Sequence, residues 1–265
     1  MRLEGKVAII TGGGKGIGKA IAIAYAREGC TVVLAARTVS ALEETCKLIQ
    51  GQGGKAVYVQ TDVSDEKQVQ NLVAETIKQF GKIDILVNNS GVSGPTARVA
   101  DISIADFNET LAIDLTGSLM CTKAALKHMI PAKSGNIINV VSEAGRSGDG
   151  RSGYPLRSAY CCSKMGLIGL TETLAVENGE FGIRSNALSP GPVLGERILN
   201  VVTKRSKETG KTVDEMLTGL AAGNSLKRIA TEEECAAVAV FLGSDESSGV
   251  TGQTIPVSCG QHVNF

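Results

Sequence analysis

Ser142, Tyr160 and Lys164 are the residues of this sequence best suited to chemistry, and all three fall within Asn136 to Lys164 (NIINVVSEAGRSGDGRSGYPLRSAYCCSK). An apolar, β-branched run (Ile137, Ile138, Val140, Val141) reads as a strand that stops at Ser142. A Gly-, Ser- and Arg-rich loop follows, and Tyr160 and Lys164 then open a helical segment. Residues four apart on a helix share a face, so the lysine ammonium stands beside the phenol. A free phenol has a pKa of about 10, too high for a general base at neutral pH. A cation about 5 Å away, at an effective dielectric of about 20, favours the phenolate by roughly 3 kcal/mol. That brings such a phenol within range of giving a proton to a carbonyl oxygen or taking one back. Ser142, at the strand end, is placed to hydrogen-bond the same oxygen. The set suits carbonyl/alcohol interconversion and needs a hydride carrier. Taken alone, Tyr-x-x-x-Lys among four tyrosines also reads as an amphipathic helix with a snorkelling lysine.

The carrier's place is indicated near the N-terminus. Val7 to Thr11 (VAIIT) is a short β-branched run fit for a buried parallel strand. It runs into Gly12-Gly13-Gly14-Lys15-Gly16-Ile17-Gly18, and a helix follows with Ile17, Ala20, Ile21, Ala24 and Tyr25 on one face, closed by Gly29. In a strand–glycine turn–helix unit, backbone N–H groups and the helix dipole face a pyrophosphate. The cofactor-binding candidates here are Gly12, Gly14, Lys15, Gly16, Ile17 and Gly18. The next strand, Thr31 to Ala36, is followed by Arg37. A dinucleotide fold that prefers NAD usually places an acid near this point for the ribose 2′-hydroxyl. Lys15 and Arg37 without that acid favour a 2′-phosphate, hence NADP over NAD; the alternative is two ordinary surface charges.

The remaining chain must hold these groups in place. Helices are predicted over Val39–Gln50, from Ser64 (as N-cap) through Phe80, over 103–129 with a break near Asp114 to Gly117, from the Tyr160 segment to about Asn178, and over Glu232–Leu242. Strands are predicted at 56–60, 83–87, 136–141, 183–188 and 253–257. Asp62 and Val63, in the turn leaving the third strand, join the cofactor-binding candidates. So do Asn89 and Gly91, because amides and small residues at a strand's C-terminal end suit the crevice of an open parallel sheet. Residues 192–230 are of mixed polarity and read as a mobile substrate cap. Strand and helix alternate without repeats or a linker. The fold class is therefore α/β: one doubly wound, Rossmann-type parallel sheet with helices on both faces, spanning residues 1–265 as a single domain.

Composition narrows the function. Lys plus Arg equals Asp plus Glu, 27 each, so nothing points to nucleic acid or an anionic membrane as partner. No apolar run approaches the ~20 residues of a membrane span, and the N-terminus lacks a signal-peptide build. Seven scattered cysteines without a C-x-x-C pair read as free thiols in a reducing cytoplasm. Two distant histidines, His128 and His262, give no metal site.

With these motifs in hand, the whole chain resembles the short-chain dehydrogenase/reductase family. The family's T-G-x-x-x-G-x-G matches Thr11 to Gly18, and its N-N-A-G matches Asn88, Asn89, Ser90 and Gly91, with serine for alanine. Its catalytic Ser, Tyr and Lys fall on Ser142, Tyr160 and Lys164, and its P-G segment on the nicotinamide side falls on Pro190, Gly191 and Val193. The resemblance implies that Lys164 also holds the nicotinamide ribose. Three departures stand out. The family's helix-break asparagine, whose backbone carbonyl holds a water against the lysine, is Asp114 here. The threonine ending P-G-x-x-x-T is Gly195. Ser142 and Tyr160 are 18 residues apart (160 − 142), more than is usual in the family. Family members usually pair through the helices corresponding to 103–129 and 158–178, which implies a homotetramer or a dimer.

The sequence therefore predicts an NADP(H)-dependent oxidoreductase acting on a small carbonyl or alcohol. A non-catalytic nicotinamide-cofactor sensor is the alternative from another class, although such a protein is expected to lose the Tyr/Lys pair. An isomerase or dehydratase using the cofactor internally is a third reading without specific support. The loop between Ser142 and Tyr160 carries Arg146, Arg151 and Arg157. Arginine forks clamp carboxylates, sulfonates and phosphates in paired hydrogen bonds, so Arg151 and Arg157 are candidate ligands of an anionic substrate; the alternative is solvated surface charge.

Overall fold

The computed structural model describes residues 1–144 and 153–261. Seven strands form the central sheet: β1 (Val7–Thr11), β2 (Thr31–Ala36), β3 (Lys55–Gln60), β4 (Ile85–Asn88), β5 (Gly135–Val140), β6 (Ile183–Pro190) and β9 (Thr254–Val257). Their order is β3-β2-β1-β4-β5-β6-β9, and every pairing is parallel. The chain starts in the middle, moves out through β2 and β3, and returns to lay β4 on the other side of β1. That reversal opens a crevice at the C-terminal ends of β1 and β4, where an open parallel sheet binds ligands.

Strands β1, β2 and β4 are almost wholly apolar because both faces are covered. Successive β1 side chains enter opposite layers. Ala8 and Ile10 meet Ile21, Ala22 and Tyr25 of α1 (Gly16–Arg27) and Leu42 of α2 (Val39–Gly51), together with Ala236 and Ala239 of α9 (Glu232–Gly243). Val7 and Ile9 meet Val69 and Leu72 of α3 (Glu66–Phe80) and Ala125 and Met129 of α5 (Gly117–Ala132). Small residues let α1 and α9 approach closely, and the buried Tyr25 hydroxyl donates to the Ala239 carbonyl at 2.9 Å. The seven cysteines are unpaired. Burial pushes the thiols of Cys30, Cys121 and Cys235 up to about 12 and that of Cys46 to about 11, so these four serve as small apolar residues.

Two local expectations need correction or refinement. The cap of α3 is Asp65, whose carboxylate accepts from the N–H groups of Lys67 and Gln68; Ser64 instead donates to Asp62 at 2.6 Å. A carboxylate reaches two orphan N–H groups at the positive helix end, and Asp62 already occupies the serine hydroxyl. The break in the long helix after α4 (Ile104–Leu111) is a π-helical turn, Ala112–Thr116. Such turns redirect a side chain within a continuous helix. The segment 192–230 contains α7 (Glu196–Thr209) and α8 (Val213–Ala222), and it is bounded by the ribbon of β7 (Val193–Leu194) with β8 (Ala230–Thr231).

Candidate active site

Thr11 joins the two sides of the crevice. Its hydroxyl accepts from the N–H groups of Asn89 at 2.9 Å and Ser90 at 3.0 Å, and the Asn89 amide donates to the carbonyls of Thr11 and Gly12. Gly12 and Gly16 have φ of +66° and +55°, in the left-handed region open to glycine. A Cβ on Gly18 would overlap the Gly12 carbonyl and the Asn89 amide, so the turn can close only as glycine. The first turn of α1 has no side-chain cap and no acid, which leaves its N–H groups to an anion. A cleft of about 200 Å³ opens there, lined by Gly12, Gly14, Lys15, Arg37, Asp62, Val63 and Gly91. These observations fit a dinucleotide. Among the described residues neither Lys15 nor Arg37 forms an ion pair. The Ser64 hydroxyl and N–H, with Arg37 nearby, hold the Asp62 carboxyl below the usual range against the cost of burial.

Tyr160 and Lys164 lie on α6 (Ser158–Asn178). The Lys164 ammonium is 5.6 Å from the centre of the Tyr160 ring, as the four-residue spacing predicts. It donates to the Val140 carbonyl at 3.1 Å and lies 3.7 Å from Asp114 Oδ2. Asp114 is wholly buried. Its Oδ1 accepts from the Val92 N–H at 2.7 Å, its Oδ2 accepts from the Ser163 hydroxyl at 3.3 Å, and its carbonyl accepts from the Ser118 hydroxyl. The π-helical turn thus aims a carboxylate at the lysine. Gly91 completes the arrangement: a Cβ there would stand 3.2 Å from Asp114 Oδ1 and 3.3 Å from Lys164 Nζ. Sequence reasoning found Asp114 and Gly91 but missed this packing, since it joins residues on three separate elements.

Ser142 is half-buried just past β5, its hydroxyl accepting from the Ala144 N–H at 3.1 Å. The following Glu143 N–H donates to the Pro190 carbonyl, tying the serine to the P-G segment. Gly191 is held by its N–H to Val257, and Val193 pairs with Ala230. A larger cavity, about 410 Å³, lies behind this edge between Glu143, Val238, Pro256 and Cys259 and does not reach the glycine turn. Arg157 donates through one guanidinium nitrogen to the carbonyls of Ser93 (3.1 Å) and Gly94 (3.5 Å), and its backbone bridges to Ala97. It therefore braces the loop after β4. Arg146 and Arg151 lie outside the described residues. Among the described residues no group of three or more His, Cys, Asp or Glu could hold a metal, and no helix is long and apolar enough to cross a membrane.

A family model described as enoyl-(acyl carrier protein) reductase matches residues 12–262. The chain is 37% identical over 260 residues to glucose 1-dehydrogenase 2 of Bacillus subtilis, covering 97% of this chain and 95% of that one. Among solved structures it is similar to NAD+-bound xylitol dehydrogenase, with TM-score 0.90, 32% identity, and coverage of 98% of this chain and 100% of the other. It is equally similar to a variant of actinorhodin polyketide ketoreductase with NADPH, at TM-score 0.90 and 29% identity, with 98% of each chain covered.

Proposed function

Because this chain belongs to the short-chain dehydrogenase/reductase family of oxidoreductases acting on alcohol and carbonyl groups, we propose that it interconverts a small carbonyl compound and its alcohol with NADP(H). The observation that carries this reading is the Lys164 ammonium held beside the Tyr160 ring and braced by Asp114 and the Val140 carbonyl. A bound nicotinamide supplies the hydride in one direction and accepts it in the other. Gly12 to Gly18 and the N-terminus of α1 receive the diphosphate, Lys164 holds the nicotinamide ribose, and Pro190, Gly191 and Val193 line the nicotinamide side. The Ser142 hydroxyl holds the substrate oxygen. Tyr160 donates its proton to that oxygen in reduction and takes it back in oxidation, while the Lys164 charge stabilises the phenolate left behind. The helices α7 and α8 serve as the cap over the substrate, within one catalytic domain that we assign to the cytoplasm on its free thiols.

Spectrophotometric screening of neutral ketones and oxo acids with NADPH tests the activity. Binding of cofactor without turnover of any carbonyl would favour the sensor instead. A preference for oxo acids would assign Arg157 to substrate binding through the guanidinium nitrogens not donated to Ser93 and Gly94.

The cofactor choice is tested separately. Ala36→Asp with Arg37→Ala is expected to move preference toward NADH by at least about tenfold, or about 1.4 kcal/mol in relative transition-state binding. The ratio of kcat/KM for the two cofactors measures this, and a wild-type preference for NADH would overturn the assignment.

We also propose that α5 and α6 pair between subunits. Leu119, Met165 and Val176 remain exposed on them, Val176 at 85%, and these are the apolar side chains that a partner subunit would cover. Light scattering at micromolar concentration is expected to give a tetramer mass; a monomer would contradict it.

A further inference from the structure

A separate feature bears on cofactor affinity, and it rests on the glycine turn being the cofactor site. Gly195 has φ −178° and ψ −179°, extended backbone that any residue adopts, so conformation does not call for glycine. A Cβ at this position would meet the Glu232 carboxylate, the far end of a flexible side chain that would have to move aside. The same carboxylate oxygen lies 3.7 Å from where a Cβ on Gly16 would stand. Gly16 opens α1, whose first turn is uncapped and without an acid of its own. A carboxylate brought in from α9, which packs against α1, therefore stands beside the first residue of that helix.

The charges around Glu232 do not neutralise it. Glu233 on its own helix and Glu196 on α7 are like charges, and among the described residues the cation that opposes them is Lys19 on α1, which already donates to Glu44 at 2.7 Å. Burial first, and then Glu233, hold the Glu232 carboxyl above the usual carboxylate range, with Lys19 opposing.

We propose that Glu232, in the space left by Gly195, is a determinant of cofactor affinity that makes binding of the cofactor diphosphate at the N-terminus of α1 proton-linked. Ionised Glu232 opposes a second anion at that site, whereas the protonated carboxyl does not and can donate to a phosphate oxygen. The bound diphosphate in turn favours the protonated carboxyl, so the complex holds more protons than the free protein. Affinity is then greatest below the raised Glu232 pKa of the free protein, falls as pH rises through it, and levels off above the still higher pKa of the complex.

The test is the dissociation constant of NADPH and of NADH, read by nicotinamide fluorescence from mildly acidic to mildly alkaline pH. Wild type is compared with Glu232→Gln, Gly195→Ala and Glu233→Gln at each pH, so that titration of the cofactor's own phosphates cancels. At the alkaline end Glu232→Gln is expected to bind about fivefold tighter than wild type, the effect of removing one nearby charge in a mostly aqueous cleft. Its advantage should vanish at the acidic end. Gly195→Ala, whose methyl displaces the carboxylate, should shift in the same direction, and Glu233→Gln should keep the wild-type slope. Affinity of Glu232→Gln equal to or weaker than wild type at alkaline pH would overturn the proposal. Binding of neither cofactor by wild type would remove the cofactor reading itself, and this inference with it.

Discussion

Tyr160→Phe is expected to lower turnover by on the order of 10³-fold, inside the range that a positioned general acid or base contributes, while cofactor still binds. The substitution removes one oxygen and leaves the ring beside the Lys164 ammonium, 5.6 Å from its centre. The backbone of the first turn of α6 is untouched, including the Tyr160 carbonyl that accepts from the Ser163 hydroxyl at 2.9 Å. Binding and chemistry should therefore separate: the cofactor dissociation constant stays within about twofold while kcat collapses, the signature of an interaction made in the transition state. Steady-state kinetics with a fluorescence titration of cofactor on the same preparation checks both halves. Retention of more than a few per cent of activity would mean that another group is the acid, and Ser142 would be the first to test.

Lys164→Met is expected to damage stability as well as activity. The ammonium lies 3.7 Å from the fully buried Asp114 carboxylate, and removing one partner of a buried pair typically costs about 3–5 kcal/mol because the other charge is stranded. The Val92 N–H still bonds the carboxylate, which places the loss near the lower figure. For a chain of this size, about 3 kcal/mol lowers the melting temperature by roughly 6–12 °C. Adding Asp114→Asn to Lys164→Met removes the stranded charge and keeps an oxygen for the Val92 N–H. The double variant should regain much of the melting temperature and none of the turnover. Cofactor affinity should fall in both variants, since Lys164 also faces the ribose in the proposed mechanism. Identical melting temperatures for Lys164→Met and wild type would show that the pair carries no stabilisation.

Several features were legible in the sequence because their causes are local. The Tyr160 and Lys164 pairing follows from four residues being about one helical turn, and the observed distance needed nothing beyond that spacing. The strand–turn–helix unit proposed to hold the cofactor diphosphate follows from a short β-branched strand, a glycine turn and an amphipathic helix in immediate succession. Continuous apolar runs at Val7–Thr11 and Ile85–Asn88 require cover on both faces, which a doubly wound sheet supplies. The alternation of elements then leaves few ways to order the strands.

Other features were decided only in three dimensions. Asp114 could be read as a departure from a motif. Its contacts with Val92, Ser163 and Lys164 depend on how the helix before β5 crosses α6, and on the break read near Asp114 to Gly117 taking the form of a π-helical turn, Ala112–Thr116. Gly195 reads in sequence only as a departure from P-G-x-x-x-T, whereas in the fold Glu232, 37 residues later (232 − 195), lies beside the space it leaves. Arg157 looked like a substrate clamp, yet one of its nitrogens is engaged by carbonyls 63 and 64 residues earlier. Local spacing sets which side chains share a face of one element. Which faces meet depends on packing many elements into one interior, and there long-range contacts decide what a charge or a missing side chain means.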